Sequence, residues 1–166
     1  MRVLWAPWRL AYVERVDQDQ GCIFCEKPAL VDPSARREAL VLFSDERASV
    51  IMNRYPYANA HLMVSPRLHS ADLGSLAVDD ASALMALLQR AIAILQRAYS
   101  PQGFNVGMNL GRCGGAGIDK HLHWHLVPRW EGDTNFMPML ADCRVIPEHL
   151  EEAYDRLLPL FEDRGP

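Results

Sequence analysis

The chain has no uninterrupted apolar run of the length a signal peptide or a membrane-spanning helix needs. Its opening stretch, MRVLWAPWRLAYVE, is broken early by Pro7 and Arg9. Its longest apolar-rich stretch, LMALLQRAIAILQRAY, carries Gln89, Arg90, Gln96 and Arg97. These absences lead us to expect a cytoplasmic protein with no membrane contact. An excess of positive charge is also missing: 17 Lys and Arg stand against 21 Asp and Glu, a net charge of −4. That excludes a broad basic surface for long nucleic acid but leaves room for a small anion in a local pocket. Cysteine is sparse, with only Cys22, Cys25, Cys113 and Cys143, so no disulfide framework is expected. There is no internal repeat and no low-complexity tract. We therefore read one domain over 1–166, with an N-terminal extension to 40, a core over 41–130 and a C-terminal segment and helix from 131.

What is present has the pattern of an α+β fold. ASVIMN (48–53) and HLMVSP (61–66) read as strands around the turn NRYPYANA. VDDASALMALLQRAIAILQRAY reads as the long central helix, because Leu84, Leu88, Ala91, Ile92, Leu95 and Tyr99 recur at three- and four-residue spacings. Asp79 or Asp80 is expected to cap it. FNVGMNL (104–110) and HLHWHLVP (121–128) read as further strands, and VIPEHLEEAYDRLLPLF as a C-terminal helix. Pro147 suits its first turn, and Pro159 is expected to kink or end it. A helix between two strand pairs predicts a mainly antiparallel sheet of about five strands.

Three of the six histidines fall within five residues, at 121, 123 and 125. On a strand they would share one face, with Leu122, Trp124 and Leu126 on the other. At roughly 3.3 Å per residue the outer two stand about 13 Å apart, too far for all three to hold one metal ion. Such a row suits an extended ligand such as a polyphosphate, or roles split between adjacent sites. GRCGGAG, just before it, is a loop whose backbone N–H groups can approach phosphate oxygens. Cys22-Ile23-Phe24-Cys25 has the spacing of half a tetrahedral zinc site, and no thioredoxin-like pattern surrounds it.

HLHWHLV fits the His-φ-His-φ-His-φ-φ signature, and the chain resembles the histidine triad (HIT) superfamily. CIFC, MNRYPYANAHLMVSPRLH, FNVGMNLG and PRW occur in the matching order, so the resemblance covers roughly residues 20–140. LWAPWR and PRWEGDTNFMP resemble the bacterial branch that contains diadenosine tetraphosphate phosphorylase-like proteins. The resemblance implies cleavage of a nucleotide at its α-phosphate through a nucleotidyl-histidine. It makes His123 the nucleophile, gives His125 a phosphate or leaving-group contact and gives His61 a supporting role. It assigns ribose contact to Asn53 and phosphate contact to Asn109. It implies a structural zinc ion held by Cys22, Cys25, His69 and His121, which would give the first triad histidine a non-catalytic role. It also implies a homodimer. This chain departs from better-known members at Gly117 and Ile118, where they carry Gln followed by Ser or Thr. The N–H groups of Gly115, Ala116, Gly117 and Ile118 are then the expected phosphate donors.

The expected function is cleavage of dinucleoside polyphosphates, by water or by phosphate. Nucleoside phosphoramidate hydrolysis, a nucleotide-sensing protein with little turnover and a zinc-stabilised interaction module are the alternatives. Arg129 meets either a phosphate or a carboxylate. Asp133, Asn135 and Phe136 are candidates for a lid or a dimer contact, and Trp5 and Trp8 for packing on another subunit.

Overall fold

A computed structural model of the chain describes residues 21–133 and 148–163. Trp5, Trp8, Asn135, Phe136, Cys143 and Pro147 lie outside the described residues. Five strands form one antiparallel sheet: β1 (Val41–Ser44), β2 (Ala48–Met52), β3 (Leu62–Pro66), β4 (Gly103–Met108) and β5 (Trp124–Arg129), in the order β1-β2-β3-β5-β4. Among the described residues the α-helices are α1 (Ile23–Glu26), α2 (Pro33–Glu38), α3 (Val78–Tyr99) and α4 (Leu150–Glu162). The α+β class and the antiparallel sheet are as expected. Among the described residues no helix is long and apolar enough to cross a membrane.

Alternation along the strands gives the sheet two different faces. Ala48, Val50 and Met52 of β2, Leu62 and Val64 of β3 and Leu126 of β5 point to one side. There they join Leu84, Leu88, Ala91 and Leu95 of α3 and Tyr154, Leu157 and Phe161 of α4 in the main core. Ile51 and Met63 point to the other side, where Phe24, Ala39 and Val41 complete a smaller apolar cluster. His125, in register with Met63 and Gly107, opens on this second face.

Several local expectations need correction. β1 was not foreseen, because it has only four residues and follows Leu40 at a φ of 60°. The first 40 residues, read as irregular, hold α1 and α2. Asp79 and Asp80 lie inside the first turn of α3, whose N-cap is Ala77 with no side-chain cap bond. Asp80 instead accepts from Arg47 at 3.0 Å. Pro159 lies inside α4 and does not end it, since Asp163 N–H still reaches the Pro159 carbonyl at 3.0 Å. The triad is not wholly on a strand. β5 begins at Trp124, and the N–H of Leu122 bonds to Ser70 instead of to β3. Pro66, at the end of β3, has no N–H with which to extend the ladder.

Candidate active site and metal cluster

Each triad histidine has a different set of partners, and those partners fix its tautomer. His123 is 4 % exposed, and its Nδ1 lies 2.9 Å from the backbone carbonyl of His121. A carbonyl only accepts, so Nδ1 carries the proton and Nε2 carries a lone pair. Burial pulls the imidazole below the ordinary histidine range, against the opposing pull of that hydrogen bond. His123 is thus a neutral imidazole near pH 7, with its basic nitrogen on Nε2.

His125 is oriented from the segment just before β3. The N–H of Tyr57 donates to Nδ1 of His61 at 3.1 Å, so His61 holds its proton on Nε2. That Nε2 lies 3.0 Å from Nδ1 of His125 and donates to it. The proton of a neutral His125 therefore sits on its own Nε2. His61 is 1 % exposed, and the Tyr57 ring stacks on it with centroids 4.8 Å apart and planes 28° from parallel. His123 and His125 meet edge to face at 5.0 Å. A lone pair on one ring and an N–H on the next suit attack on a phosphorus with a hydrogen bond to one of its oxygens.

His121 faces a different group of residues. Its Nε2 donates to the Pro66 carbonyl at 2.9 Å, which leaves the lone pair on Nδ1. That Nδ1 lies 3.2 Å from Cys22 Sγ, 3.5 Å from Cys25 Sγ and 3.3 Å from His69 Nδ1. Cys25 Sγ is 3.3 Å from His69 Nδ1, and the four donor atoms all lie within 4.8 Å of one another. Ligands about 2.0–2.3 Å from a tetrahedral ion stand about 3.3–3.8 Å apart, so this cluster fits a metal. Burial, with Cys22 beside it, pushes the Cys25 thiol up, an effect that a bound cation would reverse. These four residues could hold a metal ion, and His121 is the only triad member among them.

The remaining expected residues are placed as follows. Asn53, just past β2, accepts from Tyr55 N–H through Oδ1 at 2.9 Å. Asn109 donates through Nδ2 to the Gly115 carbonyl at 3.2 Å and so braces the glycine loop. In that loop Gly111 and Gly115 take φ of 69° and 89°, which glycine adopts without strain. The amides of Gly115 and Ala116 turn back on the Arg112 and Gly111 carbonyls. Beyond Gly117, Ile118 packs on the smaller cluster next to Phe24. Arg129 meets a carboxylate: it grips Asp133 with two nitrogens and also donates to Asn105 at 2.7 Å. Asp133 thereby holds the end of β5.

Two residues next to the histidines were missed from sequence. Phe24 stacks on His123 at 4.6 Å, with planes 24° from parallel. Tyr57 covers His61 and comes within 5.8 Å of His125. The only sequence signals were an aromatic between two cysteines and an aromatic four residues before a histidine.

A buried neutral imidazole beside a hydrogen-bond-donating one, next to a two-cysteine, two-histidine cluster, defines a histidine-triad protein. The chain belongs to the HIT domain family, whose model matches residues 34–132. It is 37 % identical over 171 aligned residues to AP-4-A phosphorylase of Mycobacterium tuberculosis, covering 98 % of this chain and 85 % of that one. A Zn-bound histidine triad family protein from Mycobacterium smegmatis shares the fold at 22 % identity, with a TM-score of 0.60 over 92 % of this chain and 93 % of that one. So does Plasmodium falciparum diadenosine triphosphate hydrolase, at 14 % identity and a TM-score of 0.63, over 93 % and 96 %.

Proposed function

We propose that the protein cleaves diadenosine tetraphosphate and related dinucleoside polyphosphates at the α-phosphate, with inorganic phosphate as the second acceptor. The observation that carries this reading is the 2.9 Å bond from His123 Nδ1 to the His121 carbonyl, which leaves Nε2 as a nucleophile. In the first step Nε2 attacks the α-phosphorus, an N–P bond forms, and the bond to the bridging oxygen breaks with release of ATP. His125 donates its Nε2–H to a phosphate oxygen as charge builds there. The leaving polyphosphate is a stable anion near pH 7 and needs no proton. In the second step a phosphate oxygen attacks the same phosphorus, breaks the N–P bond and releases ADP. The 37 % identity to a phosphorylase over nearly the whole chain supports phosphate over water as the acceptor.

Asn53 is the proposed ribose contact, and the Gly117 and Ile118 N–H groups, on the loop that Asn109 braces, are the proposed phosphate cradle, because the Gly115 and Ala116 amides already donate to Arg112 and Gly111. Zinc is the proposed occupant of the Cys22, Cys25, His69 and His121 cluster, since two thiolates and two imidazoles match its donor preference. Bound there, it would tie the α1 segment to the sheet. A reducing cytoplasm would keep both thiols available for it. The proposed assembly is a homodimer. Support for it comes from the edge position of β4 and from Val106 and Met85, which are exposed on β4 and α3.

The test is to incubate purified protein with diadenosine tetraphosphate, with and without inorganic phosphate, beside His123→Ala. ADP and ATP formed only with phosphate support the proposal. AMP and ATP formed without phosphate would make water the acceptor. No products, with wild type matching His123→Ala, would reject the reaction.

A further inference from the structure

Phe24 sits between the two cysteines of the metal cluster and is 0 % exposed. Its ring lies flat on His123 at 4.6 Å and tilts against His121 at 5.3 Å. The four-residue helix that carries it, α1, is too short to be stable by itself. Phe24 is flanked by the Cys22 and Cys25 side chains, which reach His121 and His69. The same His121 that faces the thiols through Nδ1 offers its backbone carbonyl to His123 Nδ1–H. The metal cluster and the proposed nucleophile are therefore joined twice, through the His121 backbone and through the Phe24 ring.

We infer that Phe24 is a positioning residue for His123, and that metal in the two-cysteine, two-histidine cluster sets the aim of the nucleophile by fixing Phe24. This rests on His123 being the nucleophile. The geometry limits the ring in two ways. The hydrogen bond to the His121 carbonyl fixes which nitrogen points into the site but still permits the ring to rock about that bond. A flat aromatic surface against the ring face blocks the rocking, and Phe24 supplies it. When the cluster is empty, α1 keeps its apolar packing with Ala39, Val41, Ile51 and Met63 and weak thiol–imidazole contacts, but no ion draws the four donors together. A nucleophile displaced by about 1 Å loses on the order of a hundredfold in rate.

Phe24→Leu is the test variant, because leucine keeps an apolar side chain without the flat face. Phe24→Met is carried in parallel, so that a folding defect in one variant does not decide the result. Zinc content and thermal midpoint are measured first on both. With zinc bound, we expect kcat for diadenosine tetraphosphate and phosphate to fall about 10- to 100-fold while KM stays within about twofold. The second readout is the His123 Nδ1 proton, followed by 15N-edited NMR without substrate. It should exchange faster in both variants than in wild type. Stripping zinc from wild type should produce the same two changes, and stripping it from Phe24→Leu should add little, a non-additive cycle.

Wild-type kcat and unchanged proton exchange in zinc-loaded Phe24→Leu and Phe24→Met would overturn the inference. So would independent, multiplying losses from substitution and zinc removal. His123→Ala separates the two levels. If it is inactive while the Phe24 variants behave as wild type, only the role of Phe24 fails. If it turns over normally, the nucleophile assignment fails and the inference with it.

Discussion

His61 never has to touch phosphate to matter. It fixes the His125 tautomer through one hydrogen bond and is itself fixed by Tyr57 N–H. His61→Leu nearly conserves the buried side-chain volume and should preserve the fold, at the cost of about 1–3 kcal/mol for the Tyr57 N–H left without its acceptor. It should lower kcat about tenfold to a hundredfold with little change in KM, measured by steady-state kinetics. An unchanged kcat would show that His125 finds its orientation elsewhere. The histidine row was legible from the sequence because alternating histidines are a local pattern, and the family resemblance supplied the role of His123 within it. Phe24 and Tyr57 were not, because they reach the site from 99 and 68 positions away along the chain. No local periodicity reports such a contact. Asn53 and Asn109 show the opposite limit. Their residue type alone fits turn formation, and the bonds to Tyr55 and Gly115 use the amide groups that way; ligand contact was assigned to them only by the family resemblance.

Among the elements, α4 depends on two different kinds of contact. Its inner face buries Tyr154, Leu157 and Phe161, and Tyr154 Oη–H donates to the Val41 carbonyl at 3.1 Å. Leu157→Ala should cost about 2–5 kcal/mol and Tyr154→Phe about 1 kcal/mol, both read from denaturant unfolding. Its outer face carries Asp155, which pairs with Arg37 of α2 through two bonds at 2.9 and 2.7 Å. Arg37 holds the Asp155 carboxyl below its ordinary value. That pair therefore adds stability above the unfolded-state carboxylate pKa and loses it as pH falls through the lower folded value. Asp155→Asn should cause a small drop in thermal midpoint at pH 7, and the difference should shrink to nothing in acid. The periodicity of α3 was plain because its apolar positions face one large core. Its cap was misread because an Asp in the first turn is equally at home facing Arg47. The start of β5 was misread because a missing N–H on a neighbouring strand, at Pro66, leaves no trace in the triad sequence.

At the scale of the whole molecule, the sheet separates two functions. One face carries the core that holds the protein together, and the other carries the histidines and the thiols. Removing the proposed zinc should therefore lower stability without dismantling the main core. A chelator should reduce the thermal midpoint by an amount that free zinc restores. At free zinc about 100 times the dissociation constant the linkage is worth about 2.7 kcal/mol. A midpoint unaffected by chelator would exclude a stabilising metal. Val106→Lys should convert a dimer to monomer in sedimentation velocity, if the β4 edge is the contact. The fold class was readable because it rests on many redundant apolar positions. Of the four-residue cluster, the local pattern gave only the contiguous C-x-x-C pair, while His69 and His121, 44 and 96 residues beyond Cys25, were named through the family resemblance.

That separation along the chain has a consequence during synthesis. Cys22 leaves the ribosome 99 residues ahead of His121, and it precedes His69 by 47. Until both histidines and the strands beneath them have emerged, two neighbouring thiols travel together without the imidazoles they meet in the finished cluster. The cluster is thus a late closure of a long loop. In that interval the nascent chain is exposed to thiol oxidation that the finished site would resist. Refolding yield should accordingly depend on reductant during the early phase, and lose that dependence once the loop has closed.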